Sequence, residues 1–215
     1  MKINPQPSLK INKYERTRAA ILNAAVDILW TYPFRDMTVS SLMASIGLSR
    51  SAFYQYFDDL HDLMETLLEL VRVEIQAVTG PWFTGVGDPV VLLNDSLEGL
   101  VDVCFRRGPI LRAIDDATST DERIEKIWAQ FLDVFNDAAS ARIEADQSQG
   151  LIPVFAARPV AIALNHLDAY TLIQAFGRRP RSKPEPVRQA LVRIWVSTLY
   201  GSDYLEKDSS ALVRT

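Results

Sequence analysis

The chain has 215 residues, nearly half of them apolar, and a formal net charge of −4. That supplies a sizeable core, while no apolar run reaches the roughly 18 residues that would suggest a membrane span. A lone cysteine, Cys104, excludes an intramolecular disulfide, and with only His61 and His166 besides, a metal site lacks its usual ligands.

Residues 1–14 read as a flexible basic arm without the apolar stretch of a secretory signal, so the expected compartment is the cytoplasm. Over residues 15–32, Ala19, Ile21, Leu22, Ala25, Val26, Leu29 and Trp30 recur at helical spacing, and Pro33 ends that helix. Thr38 is a good N-cap for a short helix on which Val39, Leu42, Met43 and Ile46 face a core. Gly47 follows, where a helix stops in a left-handed conformation at little cost to glycine, and Ser49 restarts the chain as the next N-cap.

On this second helix Phe53 and Phe57 fall on one side, with Ser51, Ala52 and Gln55 opposite and Tyr54 and Tyr56 flanking them. Arg50 comes out nearer the buried stripe, but in the first turn a long side chain can swing out. Residues 38–57 therefore predict a helix-turn-helix whose polar face suits a major groove of duplex DNA. There Gln can pair with adenine, Arg with guanine, and Ala or Ser can approach a thymine methyl. An ordinary helical hairpin with a solvated polar face is the alternative. Charge distribution favours DNA: seven lysines and arginines against three carboxylates lie within residues 1–57, leaving the rest of the chain strongly acidic.

Asp58 or Asp59 can cap a long helix from Leu60 through Ile75, reaching about residue 79. The Gly- and Pro-rich stretch 80–89 reads as the clearest boundary. Pro89 opens a helix to about Arg107, Gly108-Pro109 is expected to break it, and a shorter segment runs to Thr118. A long helix from about Asp121 to Gln149 closes at Gly150, and two apolar helices, 159–177 and 186–203, flank a basic, proline-rich turn. No strand pattern competes, so the fold class is all-α. The carboxylate pairs Asp115/Asp116 and Asp121/Glu122 sit at helix ends, where capping explains them, and neither histidine has a nucleophile beside it. An enzyme is not expected.

The segment from Thr17 to Leu68 resembles the N-terminal domain of TetR/AcrR-family transcriptional regulators. The resemblance rests on AAILNAAVDILW, FRDMTVSSLMASIGLSRSAFYQYF and the long helix that follows. More weakly, residues 160–200 are similar to EthR-like members, notably in ALNHLDAYTLIQAF and VRIWVSTLYG. The resemblance implies a homodimeric all-α repressor: a three-helix DNA-binding domain (15–60), then a helical bundle for effector binding and dimerisation (61–205) and a tail (206–215). It implies a near-palindromic double-stranded operator as partner and no cofactor. By position, Arg50, Ser51, Ala52, Tyr54 and Gln55 would approach bases, and Thr38, Ser40 and Tyr56 phosphates. Many members carry a phosphate-contacting lysine where this chain has Leu60.

The same resemblance implies a small hydrophobic effector in an apolar channel. Leu100, Trp128, Leu132, Phe135 and Trp195 match channel-lining positions, and Asn165 matches an asparagine offered to the ligand. The position of Asp168 is an amide in those relatives, so an acid here would admit a ligand donor or a cationic group. From the residues alone, Asn165 and Asp168 are polar groups on an apolar helix that either bond across helices or meet a ligand. Helices 159–177 and 186–203 would form a four-helix interface in the dimer, although their residues suit an internal core equally. A helical ligand-binding or scaffold protein without sequence-specific DNA binding is the alternative function.

Overall fold

The computed structural model describes residues 12–201; most of the expected arm and the tail at 206–215 lie outside the described residues. The first helix, α1 (Lys13–Leu29), begins inside the segment assigned to the arm. Asn12 and Glu15 cap it reciprocally: the Asn12 side chain accepts from the Glu15 N–H at 2.8 Å, and Glu15 accepts from the Asn12 N–H at 3.1 Å. Two short helices follow, α2 (Val39–Ser45) and α3 (Arg50–Phe53). Thr38 and Ser49 cap them as expected, accepting from the Ser41 and Ala52 N–H groups at 3.0 and 3.3 Å. Gly47 makes the turn at φ +68°, a conformation that strains a side chain bearing Cβ.

Five longer helices complete the fold: α4 (Leu60–Thr84), α5 (Pro89–Thr118), α6 (Glu122–Ser148), α7 (Ala157–Phe176) and α8 (Pro184–Leu199). Among the described residues there is no strand. The α5 helix lies at the centre of the bundle, packed against α4, α6, α7 and α8. Buried apolar side chains form one continuous cluster from Ile21 in α1 to Leu199 in α8, so both halves of the chain share a core through α4.

Two expected breaks are absent, and the reasons are local. The stretch beginning at Gly80-Pro81 does not end α4. Pro81 forgoes one backbone bond, but Trp82 after it is almost wholly buried, and Arg142 of α6 donates to the Trp82 carbonyl at 2.7 Å. The last turn is therefore held by tertiary contacts. Gly108-Pro109 likewise sits inside a continuous α5. Pro109 has no N–H for the Phe105 carbonyl four residues back, and Arg181 supplies the missing donor at 2.6 Å. Gly108 lies at the crossing with α7, where an added Cβ would stand 2.3 Å from the Phe176 carbonyl oxygen. This pair serves a close helix crossing rather than a break.

Candidate functional site

The second helix of the helix-turn-helix is shorter than its pattern predicts: α-helical geometry covers only Arg50–Phe53, and residues 54–56 continue as turn. The facing is nevertheless that of the helical wheel. Phe53 and Phe57 are buried and pack on each other at 5.5 Å between ring centroids. Ser51, Tyr54 and Gln55 are exposed, and Ala52 is half-buried. Arg50 also lies exposed, its guanidinium donating to the Tyr54 hydroxyl at 3.4 Å. Tyr56 is half-buried and rests against Tyr14 of α1 at 4.7 Å, while Thr38 and Ser40 stand exposed at the start of α2.

The acidic start of α4 is turned to structural use. Asp59 caps α4, accepting from the Asp62 N–H at 2.8 Å, and pairs with Arg123 of α6 at 2.7 Å. Burial pushes the Asp59 carboxyl up, but the Asp62 amide and Arg123 outweigh it and hold the group below the usual carboxylate range. Beside it, His61 meets Asp121, the N-cap of α6, at 2.6 Å. At the other end of the unit Arg112 of α5 donates to the Leu29 carbonyl at the end of α1. None of these links between the two halves was anticipated, because each joins residues far apart in the chain.

Behind the helix-turn-helix lies a narrow cavity of about 70 Å³ between α4, α5, α6, α7 and α8. All seven residues singled out for a ligand line it: Leu100, Trp128, Leu132, Phe135, Asn165, Asp168 and Trp195. Both polar residues on α7 bond across helices as well as face the cavity. Asn165 donates to the Asn136 side chain of α6 at 3.0 Å, and Asp168 accepts from the Trp195 indole N–H of α8. Burial pushes the Asp168 carboxyl up to about 7, against the opposing pull of the Trp195 hydrogen bond. Cys104, also on the wall, has its thiol pushed up by burial and by the Asp168 charge, which keeps it protonated and unreactive.

Most of the other wall residues were not singled out from the sequence, Thr79, Trp82 and Ser96 among them. Thr79 and Trp82 fell at or beyond the expected end of α4, and Ser96 was hidden among apolar neighbours on α5. A signal for Ser96 existed: it stands between Leu93 and Leu97 on the stripe that had to be buried. Trp82 is also anchored in the wall by a chain of polar contacts. Its indole N–H donates to the Tyr200 hydroxyl at 3.2 Å, Tyr200 donates to Asp146 at 2.7 Å, and Asp146 pairs with Arg142 at 2.9 Å.

No helix among the described residues is long and apolar enough to cross a membrane. Residues 21–67 match the family model for bacterial regulatory proteins of the tetR family, and residues 93–201 that for the C-terminal domain of transcriptional regulator EthR. The chain is 28% identical to the HTH-type transcriptional regulator EthR of Mycobacterium tuberculosis (strain H37Rv) over 188 residues, covering 86% of this chain and 87% of that protein. Against EthR of Mycolicibacterium smegmatis the identity is 25% over 187 residues, with 86% of each covered. A TetR-family regulator from Syntrophomonas wolfei has the same fold, with a TM-score of 0.75 and 16% identity over 86% of this chain and 96% of that one. An N-terminal helix-turn-helix and an EthR-type helical domain thus account for most of the chain, which belongs to the TetR family of DNA-binding, non-enzymatic transcriptional regulators.

Proposed function

We propose that this protein is a ligand-responsive repressor that binds a near-palindromic operator as a homodimer and is released by a small hydrophobic effector. The observation that carries this reading is the double membership of α4. It begins directly behind the helix-turn-helix, where Leu63 and Met64 are buried, and it ends in the cavity wall with Ile75, Thr79 and Trp82. A ligand larger than a few waters has to move the walls of so narrow a cavity. Displacement of α4 carries the reading unit with it.

In the proposed dimer, paired reading units must sit about 34–36 Å apart to enter successive major grooves. Effector binding favours a form with a different spacing, and a full switch requires about 5.5 kcal/mol of differential affinity. Ser51, Ala52, Tyr54 and Gln55, with Arg50, approach bases in this reading, and Thr38, Ser40 and Tyr56 approach phosphates. The dimer interface forms on α7 and α8. Their outward faces carry Tyr170, 68% exposed, together with Ala163, Ala190, Ile194 and Ser197, which permit close approach of a second pair of helices.

Gel retardation on the DNA upstream of the protein's own gene tests the proposal. We expect sequence-specific retardation that slender apolar molecules reverse. Equal retardation of unrelated DNA overturns the operator reading, and a bound apolar ligand that leaves the complex intact overturns release by effector.

A further inference from the structure

The cavity holds more hydrogen-bond acceptor capacity than the protein satisfies. Both carboxylate oxygens of Asp168 share a single donor, the Trp195 indole N–H, at 2.9 and 3.0 Å. None of the residues lining the cavity is a lysine or arginine, and Asp168 forms no ion pair among the described residues. Ser96, on the α5 wall of the same cavity, is 3% exposed, and its hydroxyl has no hydrogen-bond partner among the described residues. Trp82 and Trp195 meet edge to face at 5.5 Å in the same wall, and indole faces attract cations.

We propose that the effector is a protonated hydrophobic amine, its ammonium group held by Asp168 and the Ser96 hydroxyl and its apolar body lying among the aromatic side chains. This inference rests on the effector role given to the cavity above. An ammonium group brings three N–H donors and no acceptor, which matches an under-supplied carboxylate and a vacant hydroxyl. A neutral alcohol or amide supplies no countercharge to Asp168, and holding a buried carboxyl ionised without one is costly in an apolar enclosure. A carboxylate ligand meets Asp168 with like charge. Burial already pushes the Asp168 carboxyl up to about 7, so a cation beside it restores the ionised form. Neither of two other polar groups on the wall supplies a countercharge: Cys104 of α5 is a neutral thiol, and Asn165 of α7 is a neutral amide whose nitrogen donates to Asn136.

The test compares octylamine, 1-octanol and octanoate at monomeric concentrations on the full chain, by titration calorimetry and by release of operator DNA. Octylamine is expected to bind about 10- to 100-fold more tightly than 1-octanol, the range for a hydrogen bond to a charged group, and octanoate more weakly than either. In Asp168→Asn the amine should fall to the level of the alcohol, with the alcohol changed by no more than a few fold. Equal binding of amine and alcohol to the unaltered protein overturns the proposal without recourse to any variant, as does an amine preference that survives in Asp168→Asn. If none of the three binds, the cavity's role as an effector site fails too, an outcome distinct from equal binding.

Discussion

Around the reading face, Ser51, Tyr54 and Gln55 project into solvent on a unit held together from behind by Phe53 and Phe57. Around the cavity, Asp168 is buried and Asn165 half-buried among apolar neighbours, and both are bonded to side chains of other helices. The first region ties its polar groups only to near neighbours in the chain, Ser51 to Ser49 and Tyr54 to Arg50, whereas the second bonds them to other helices. Substitutions in the two regions should therefore fail differently, one in recognition and the other in stability.

The largest expected effect tests the enclosed side. Trp195→Ala removes a large buried side chain and leaves Asp168 without its donor, so the protein should lose about 3–5 kcal/mol of stability. Chemical denaturation measures it, and a loss under about 1 kcal/mol would erase the contrast. Stabilisation by apolar ligands should change more than the DNA affinity of the ligand-free protein.

On the open side, Gln55→Ala should weaken specific operator binding by about 1–3 kcal/mol while leaving nonspecific binding and thermal stability nearly unchanged. Fluorescence anisotropy on operator and scrambled duplexes separates the two losses. Equal weakening on both would mean that Gln55 does not read bases. The smallest effect belongs to the joint between the regions. Arg123→Ala breaks a half-exposed pair with Asp59 and should cost about 0–1 kcal/mol of stability. Its informative readout is the ligand concentration needed for DNA release: a shift places this joint in the coupling between regions, and no shift confines it to structure.

The two regions also differed in how far the sequence revealed them. The helix-turn-helix is contiguous, and its signals (Thr38, Gly47, Ser49 and the Phe53/Phe57 pair) act within a turn or two of themselves. Caps, turn and facing were therefore readable, and only the helical length was overestimated. The cavity draws on five helices, and its wall residues were placed chiefly by resemblance. Periodicity marks Leu132 or Phe135 as buried but does not say against what. The two missed helix continuations have the same origin. Pro81 and Pro109 break helices in isolation, but the partners that rescue them, Arg142 with Trp82 and Arg181 with Phe105, are distant in sequence.

A reading helix of one turn, Arg50–Phe53, also bears on inheritance. Because Ser51, Tyr54 and Gln55 are exposed and make at most local contacts, most replacements there should change stability by about 0.5 kcal/mol or less. Descendants can thus acquire a new operator by point mutation while keeping fold and cavity intact. A new effector is harder to acquire, since each change in the cavity wall is also a change in the core.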